Sequence, residues 1–169
     1  MKILFAPSEK KQAGGTYSFN PSSLLFESLA PQRMQLLHSY TNIIQQGDTQ
    51  KLSKMFGIKK ESEMAKYQTD IIHELTMKAI ERYTGVAFEY LDYPTLTLSQ
   101  QQYIDSNVII FSNLLGAIRA SDLIPEYKLK QGEAVGEIKP EKLYHGLCLL
   151  FIGQLYTRRR DTRPTCRVL

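Results

Sequence analysis

The stretch "NVIIFSNLLGAIRASDLIPEYKLKQG", residues 107–132, constrains this chain more than any other. Val108–Phe111 is a short run of β-branched and aromatic residues, the pattern of a strand buried on both faces. Arg119 and Asp122 follow, three positions apart, among Leu114, Ile118, Leu123 and Ile124. A guanidinium in apolar company needs a partner, and Asp122 is the simplest one. Two readings stay open: a purely structural pair, or a cation offered to an anionic ligand. "EYKLKQG" alternates in polarity and predicts an edge strand. Residues 132–140 read as a loop.

The rest of the chain mixes helices with isolated strands. "KILFA" predicts a buried first strand stopped by Pro7, and "PSEKKQAGG" a loop. Asn20 and Pro21 suit the N-cap and first position of a helix running to about Leu29. A second helix is expected from Pro31, with Leu36, Leu37, Tyr40, Ile43 and Ile44 on one face and Gly47 as its stop. Asp48 caps a third, ending at Gly57. "TDIIHELTMKAIERY" reads as helix, capped by Thr69 or Asp70, with Ile72, Leu75 and Ala79 inward. "VAFEYLDY" is ambiguous, and Ser99 is expected to cap a short polar helix. This order implies an α+β (mixed α/β) domain, with several helices around short central strands.

Candidate chemistry is sparse. His38, His73 and His145 lack metal-ligand spacing among themselves or with cysteine, so no metal site is expected. Nothing in the sequence calls for a cofactor. Ser8 and Lys10 form an S-x-K pair after the first strand. A lysine can activate a serine, but a loop serine beside a solvated lysine fits equally. Gly57-Ile58-Lys59 resembles the turn of a helix–hairpin–helix, whose amides bind a DNA phosphate. Lysine stands there in place of the second glycine, and a plain helix C-cap accounts for the same residues.

Composition excludes little. The chain is 43% hydrophobic and 22% charged, the balance of an ordinary globular protein. No apolar run approaches the roughly 20 residues of a membrane span, and "MKILFAPSEK" lacks the long apolar core of a signal peptide. A cytoplasmic protein is expected. The net charge of +4 is uneven. Residues 145–169 hold five arginines and one acid, whereas residues 1–144 hold 16 basic and 16 acidic side chains. Both cysteines, Cys148 and Cys166, also lie in the tail.

Several motifs, taken in order, resemble the YaaA family of bacterial peroxide-stress proteins. "MKILFAPSEK" resembles the family's opening strand and S/A-P-x-K, with Ala6, Pro7 and Lys10 in place. "ERYTGVAFEYLD" resembles its Y-x-G-L/V segment through Tyr83 or Thr84 with Gly85. "FSNLLGAIRASDLIPEYKLKQG" resembles S-G-L-Y-G-V-L-R-P-L-D-x-I-x-P-Y-R-L-x-M-G through Ser112, Gly116, Arg119, Asp122, Tyr127, Leu129 and Gly132. Asn113 and Ala120 depart from it, and Pro125 lies two positions early. The resemblance covers about residues 1–144. It implies a peroxide-stress function exerted by limiting unincorporated intracellular iron, which protects DNA. It also implies an unusual mixed fold with a basic cleft, possible binding of duplex DNA through the hairpin, and no assigned reaction. Lys10, Arg119 and Lys59 would line the cleft. A third class of function, an enzyme with Lys10, Arg119 and Asp122 at an anion pocket, also fits the residues. No membrane or protein partner is evident.

The resemblance stops near Tyr144, where the composition breaks, although such proteins continue further. Read one base out of frame with permitted codons, "TRRRDTRPTCRVL" becomes "QEEEILDLRAGF", and "GLCLLFIGQLY" becomes "DFAFYLLDNYI". The reread text restores a cysteine-free, arginine-poor style and an amphipathic helix leading to an apolar strand. Residues 145–169 are therefore expected to be out-of-frame text on an incomplete domain. Such a chain should be marginally stable, with unpaired sheet edges.

Overall fold

The computed structural model describes residues 2–140, Leu143 and, as backbone, residues 166–168. A mixed sheet forms the centre. It contains β1 (Lys2–Phe5), β4 (Val108–Ser112), β5 (Gly116–Arg119) and β7 (Cys166–Val168), in the order β5-β4-β1-β7. β1 runs parallel to β4 and to β7, and β5 returns antiparallel along β4. A smaller antiparallel sheet orders β2 (Tyr17–Ser18), β3 (Leu75–Lys78) and β6 (Leu123–Pro125) as β2-β3-β6. Among the described residues, six α-helices surround them: α1 (Ala30–Gln46), α2 (Thr49–Phe56), α3 (Glu61–Met64), α4 (Ala79–Arg82), α5 (Val86–Leu91) and α6 (Leu98–Asn107). The fold is α+β, as expected.

The expected strand at 108–111 is β4, and both of its faces are covered. Val108 and Ile110 join the main core, which also holds Leu36, Leu37, Tyr40, Phe56, Ile118 and Ile124. Ile109 faces the other way, with Leu29 and Ala117, packed by Leu4, Leu25, Phe26 and Phe111. This is the period-2 alternation of a strand serving two apolar layers. α1 also follows its pattern. Leu36, Leu37, Tyr40 and Ile44 are buried, Ile43 is half-buried, and Gly47 closes the helix in the left-handed region. Asp48 caps α2 by accepting from the amides of Gln50 and Lys51 at 2.9 and 3.2 Å. The ambiguous "VAFEYLDY" contains helix α5.

Four expectations fail, three of them because a tertiary partner takes the backbone. The helix expected over 20–29 shrinks to two 3-10 turns, Pro21–Ser23 and Glu27–Leu29. Asn20 does cap the first, but the carbonyls of Leu25 and Phe26 accept from Arg33, and the amide of Leu25 donates to Asp122. "TDIIHELTMKAIERY" is not one helix. Asp70 caps a single turn, Leu75 is exposed, and residues 75–78 form β3 between β2 and β6. Sheet pairing here outweighs a weak helical preference. Ser99 is not the cap of α6; Thr97 is, with its amide donating to Gln100 Oε1 at 2.9 Å. "EYKLKQG" ends in a turn and joins no ladder among the described residues. Its backbone groups pair with Tyr40 Oη, Asn113 Nδ2, the Met55 carbonyl and Glu9 Oε1 instead.

The expected boundary near Tyr144 and the segment 145–165 lie outside the described residues, as does His145. Beyond them, the backbone of β7 covers the side of β1 away from β4. Among the described residues, no helix is long and apolar enough to cross a membrane.

Candidate functional site

Parallel pairing places the carboxyl ends of β1 and β4 at one edge of the central sheet. Ligands in sheets with parallel strands characteristically sit outside such ends. Ser8 follows β1, and Ser112 closes β4. Tyr83 reaches the same place through a bridge to Lys11, where the chain after Ser8 runs antiparallel to the segment after α4. Gly85 comes so close that a Cβ there would lie 3.1 Å from Ser8 Oγ, and its φ of 122° excludes most other residues. The sequence candidates Ser8, Tyr83, Gly85, Ser112 and Tyr127 thus converge, and Asn113 and Lys11 join them.

Tyr127, 2% exposed, is the hub. Its hydroxyl lies 2.8 Å from Tyr83 Oη, 2.7 Å from Ser112 Oγ and 2.9 Å from Asn113 Oδ1. An amide oxygen only accepts, so the single Tyr127 proton goes to Asn113. Ser112 and Tyr83 must then both donate to Tyr127. Ser112 Oγ also accepts the amides of Leu114 and Leu115, at 3.3 and 2.9 Å. Asn113 Nδ2 donates to the Leu129 carbonyl at 2.6 Å, fixing the amide's orientation. Burial pushes the Tyr83 phenol up to about 12, so this phenol is neutral near pH 7.

Lys11 lies against this network. Its ammonium is 3.9 Å from the centre of the Tyr127 ring and 5.0 Å from that of Tyr83, within cation–π range. Among the described residues its hydrogen bond is a long one, 3.4 Å to the Ser8 carbonyl. Burial, then the charge of Lys128, pushes Lys11 down to about 7, against the pull of Glu9 and Glu126; Arg82 adds to the lowering. Lys128 and Glu9 pair at 3.0 Å, and Glu9 also accepts from the amide of Gln131. That bond and Lys128 hold the Glu9 carboxyl below its ordinary value. Sequence reading chose Lys10 rather than Lys11. The signal available was the doubled lysine itself, and only the bridge to Tyr83 decides which of the two turns inward; Lys10 is exposed.

Other candidates lie elsewhere. Ile109 pairs with Arg119 and Ser112 with Gly116, so Arg119 sits at the opposite end of β4, about 10 Å along the strand. The expected Arg119–Asp122 pair exists at 3.5 Å, but the arginine side chain is 49% exposed and the carboxylate is the buried member. Asp122 accepts the amides of Leu25 and Arg119 at 2.8 and 2.9 Å. Burial still raises its pKa. The R-x-x-D spacing therefore closes a turn and anchors the loop before α1. Gly116, at φ 75°, starts β5 where a Cβ would crowd Leu143 at 3.2 Å. Gly57 is the left-handed C-cap of α2, followed by half-buried Ile58 and exposed Lys59. Neighbouring lysines on that surface face acids: Lys60–Glu63 at 3.4 Å and Lys54–Glu133 at 3.4 Å.

Several proteins are similar to this chain. An uncharacterised protein of Campylobacter jejuni is 43% identical over 145 residues, covering 85% of this chain and 59% of its own length. A UPF0246 protein of Streptomyces coelicolor is 30% identical over 135 residues, covering 78% of the chain and 51% of its own length. A UPF0246 protein of Neisseria meningitidis is 31% identical over 80 residues, covering 47% and 31%. The chain thus spans little more than half the length of the first two. The family model described as peroxide stress protein YaaA matches residues 1–146, which include every residue of the convergent site, and the chain belongs to that family.

Proposed function

We propose that this chain acts in resistance to hydrogen peroxide by lowering unincorporated intracellular iron, so that less iron-driven damage reaches DNA. The family match over residues 1–146 is the observation that carries this reading. The test is complementation of a bacterial strain that lacks its own family member. Whole-cell electron paramagnetic resonance of chelatable iron after peroxide exposure should return toward the parental level. Restored survival with iron unchanged would reject the iron step, and no restoration by a folded chain would reject the reading.

A second reading, binding of duplex DNA through Gly57-Ile58-Lys59, is favoured by one observation. Lys59 stands exposed beside a helix C-cap glycine. The acids paired with Lys54 and Lys60 reduce the positive field of that surface. This reading predicts duplex binding that weakens steeply with salt and is reduced by Lys59→Glu. Binding insensitive to both would end it.

A further inference from the structure

We propose that Lys11 is a nucleophilic lysine that condenses with small aldehydes or ketones at the carboxyl edge of β1 and β4. The proposal goes beyond the iron reading and does not depend on it.

The first observation is geometric. The ammonium is placed by packing rather than by an acid. It rests on the faces of Tyr127 and Tyr83, with the Ser8 carbonyl at the limit of hydrogen-bond distance. Lys78 shows how this protein holds a structural lysine. Its ammonium donates to Asp105 at 2.7 Å and to Tyr93 at 2.9 Å, and those bonds outweigh burial and raise its pKa. Lys11 has no such clamp among the described residues.

The second observation is the charge around it. Lys128 and Arg82 are the cations near Lys11, and Glu9 and Glu126 the acids. Arg82 is fully buried and spends its guanidinium on the carbonyls of Ile124, Gln12 and Leu75. Glu9 is engaged by Lys128 and the Gln131 amide. Withdrawal from water beside other cations is the environment that makes a lysine amine nucleophilic. The lowered pKa agrees, leaving much of the amine neutral near pH 7.

The third observation is access. Lys11 is half-buried rather than fully enclosed. The step balances without an oxidant or reductant. The Nζ lone pair adds to the carbonyl carbon, forming a C–N bond as the π electrons move to oxygen. That oxygen takes up the proton shed by nitrogen and a second one from solvent and leaves as water, while the nitrogen lone pair closes the C=N bond of a protonated imine.

The test uses the whole 169-residue chain with propanal and sodium cyanoborohydride, followed by peptide mass mapping. Exposed Lys10 is the internal comparator, so the decisive ratio needs no variant. Lys11 should be alkylated at least about tenfold faster than Lys10 near pH 7, with a rate that levels off above about pH 8. Lys11→Arg should lose the adduct at position 11 while keeping the parental circular dichroism spectrum. Alkylation of Lys11 no faster than Lys10, or a rate still climbing beyond pH 9, overturns the proposal.

Discussion

Arg33 and Lys11 are both withdrawn from water, but their surroundings differ. Arg33 is 0% exposed and donates to four carbonyls: Leu115 at 2.8 Å, Phe26 at 3.1 Å, Leu25 at 2.6 Å and Ala117 at 2.9 Å. Its planar fork ties the loop before α1 to the β4–β5 turn and to β5. Lys11 has two ring faces and one long hydrogen bond. A buried cation with four of its five N–H groups bonded to carbonyls is part of the scaffold. One left with donors to spare beside a strand end is chemically available. The difference separates structural charge from functional charge at sites the sequence does not distinguish.

The comparison breaks first at Arg33. Arg33→Met should cost about 3–5 kcal/mol in urea unfolding, because four buried carbonyls lose their donors. A loss below about 1 kcal/mol would mean the fork is not a structural tie. Tyr127→Phe comes next, at about 2–3 kcal/mol, since Tyr83, Ser112 and Asn113 all lose a partner at once. The same variant should change the rate of amine labelling at Lys11 and leave Lys10 unaffected.

Lys11→Met should act in the opposite direction. The folded pKa of Lys11 is about 7 against an ordinary 10.5, so the folded chain binds fewer protons between those values. Parental stability therefore rises with pH across that window, and the penalty is complete below about pH 7. Near pH 6.5 the variant should be more stable than its parent by on the order of 2 kcal/mol. That advantage should shrink as pH climbs toward 10. A variant less stable at every pH would show that the ammonium is held as firmly as Arg33.

The smallest effects test the R-x-x-D motif. Asp122→Ala should cost about 2 kcal/mol by orphaning the amides of Leu25 and Arg119. Arg119→Ala, at a side chain 49% exposed, should stay within about 0.5 kcal/mol. Equal losses would mean the ion pair, rather than the turn, is what the motif preserves.

Much of the fold is legible where a local signal and its tertiary partner agree. β4 declares itself by composition, α1 by its apolar face, and the ends of α1 and α2 by Gly47, Asp48 and Gly57. The failures share one cause. Asn20-Pro21 and Asp70 are true cap signals, but each starts only a single turn, because Asp122 takes the Leu25 amide and β6 pairs with β3. The strap at 127–131 alternates as a strand does, yet Tyr40, Asn113, Met55 and Glu9 take the place of a neighbouring strand.

The site divides in the same way. Ser8, Tyr83, Gly85, Ser112 and Tyr127 could be chosen from the sequence because they stand in recognisable motifs. Their convergence required β1 and β4 to pair in parallel across a hundred residues of chain, which no local pattern encodes. The sequence by itself determined the class of fold, the caps at Gly47, Asp48 and Gly57, and the family, because these rest on residue type and spacing. Only the tertiary structure decided that Lys11 rather than Lys10 faces the tyrosines, that Asp122 rather than Arg119 is buried, and that Arg33 and Arg82 hold the core. Which member of a pair turns inward depends on partners brought from distant segments, and that information is three-dimensional.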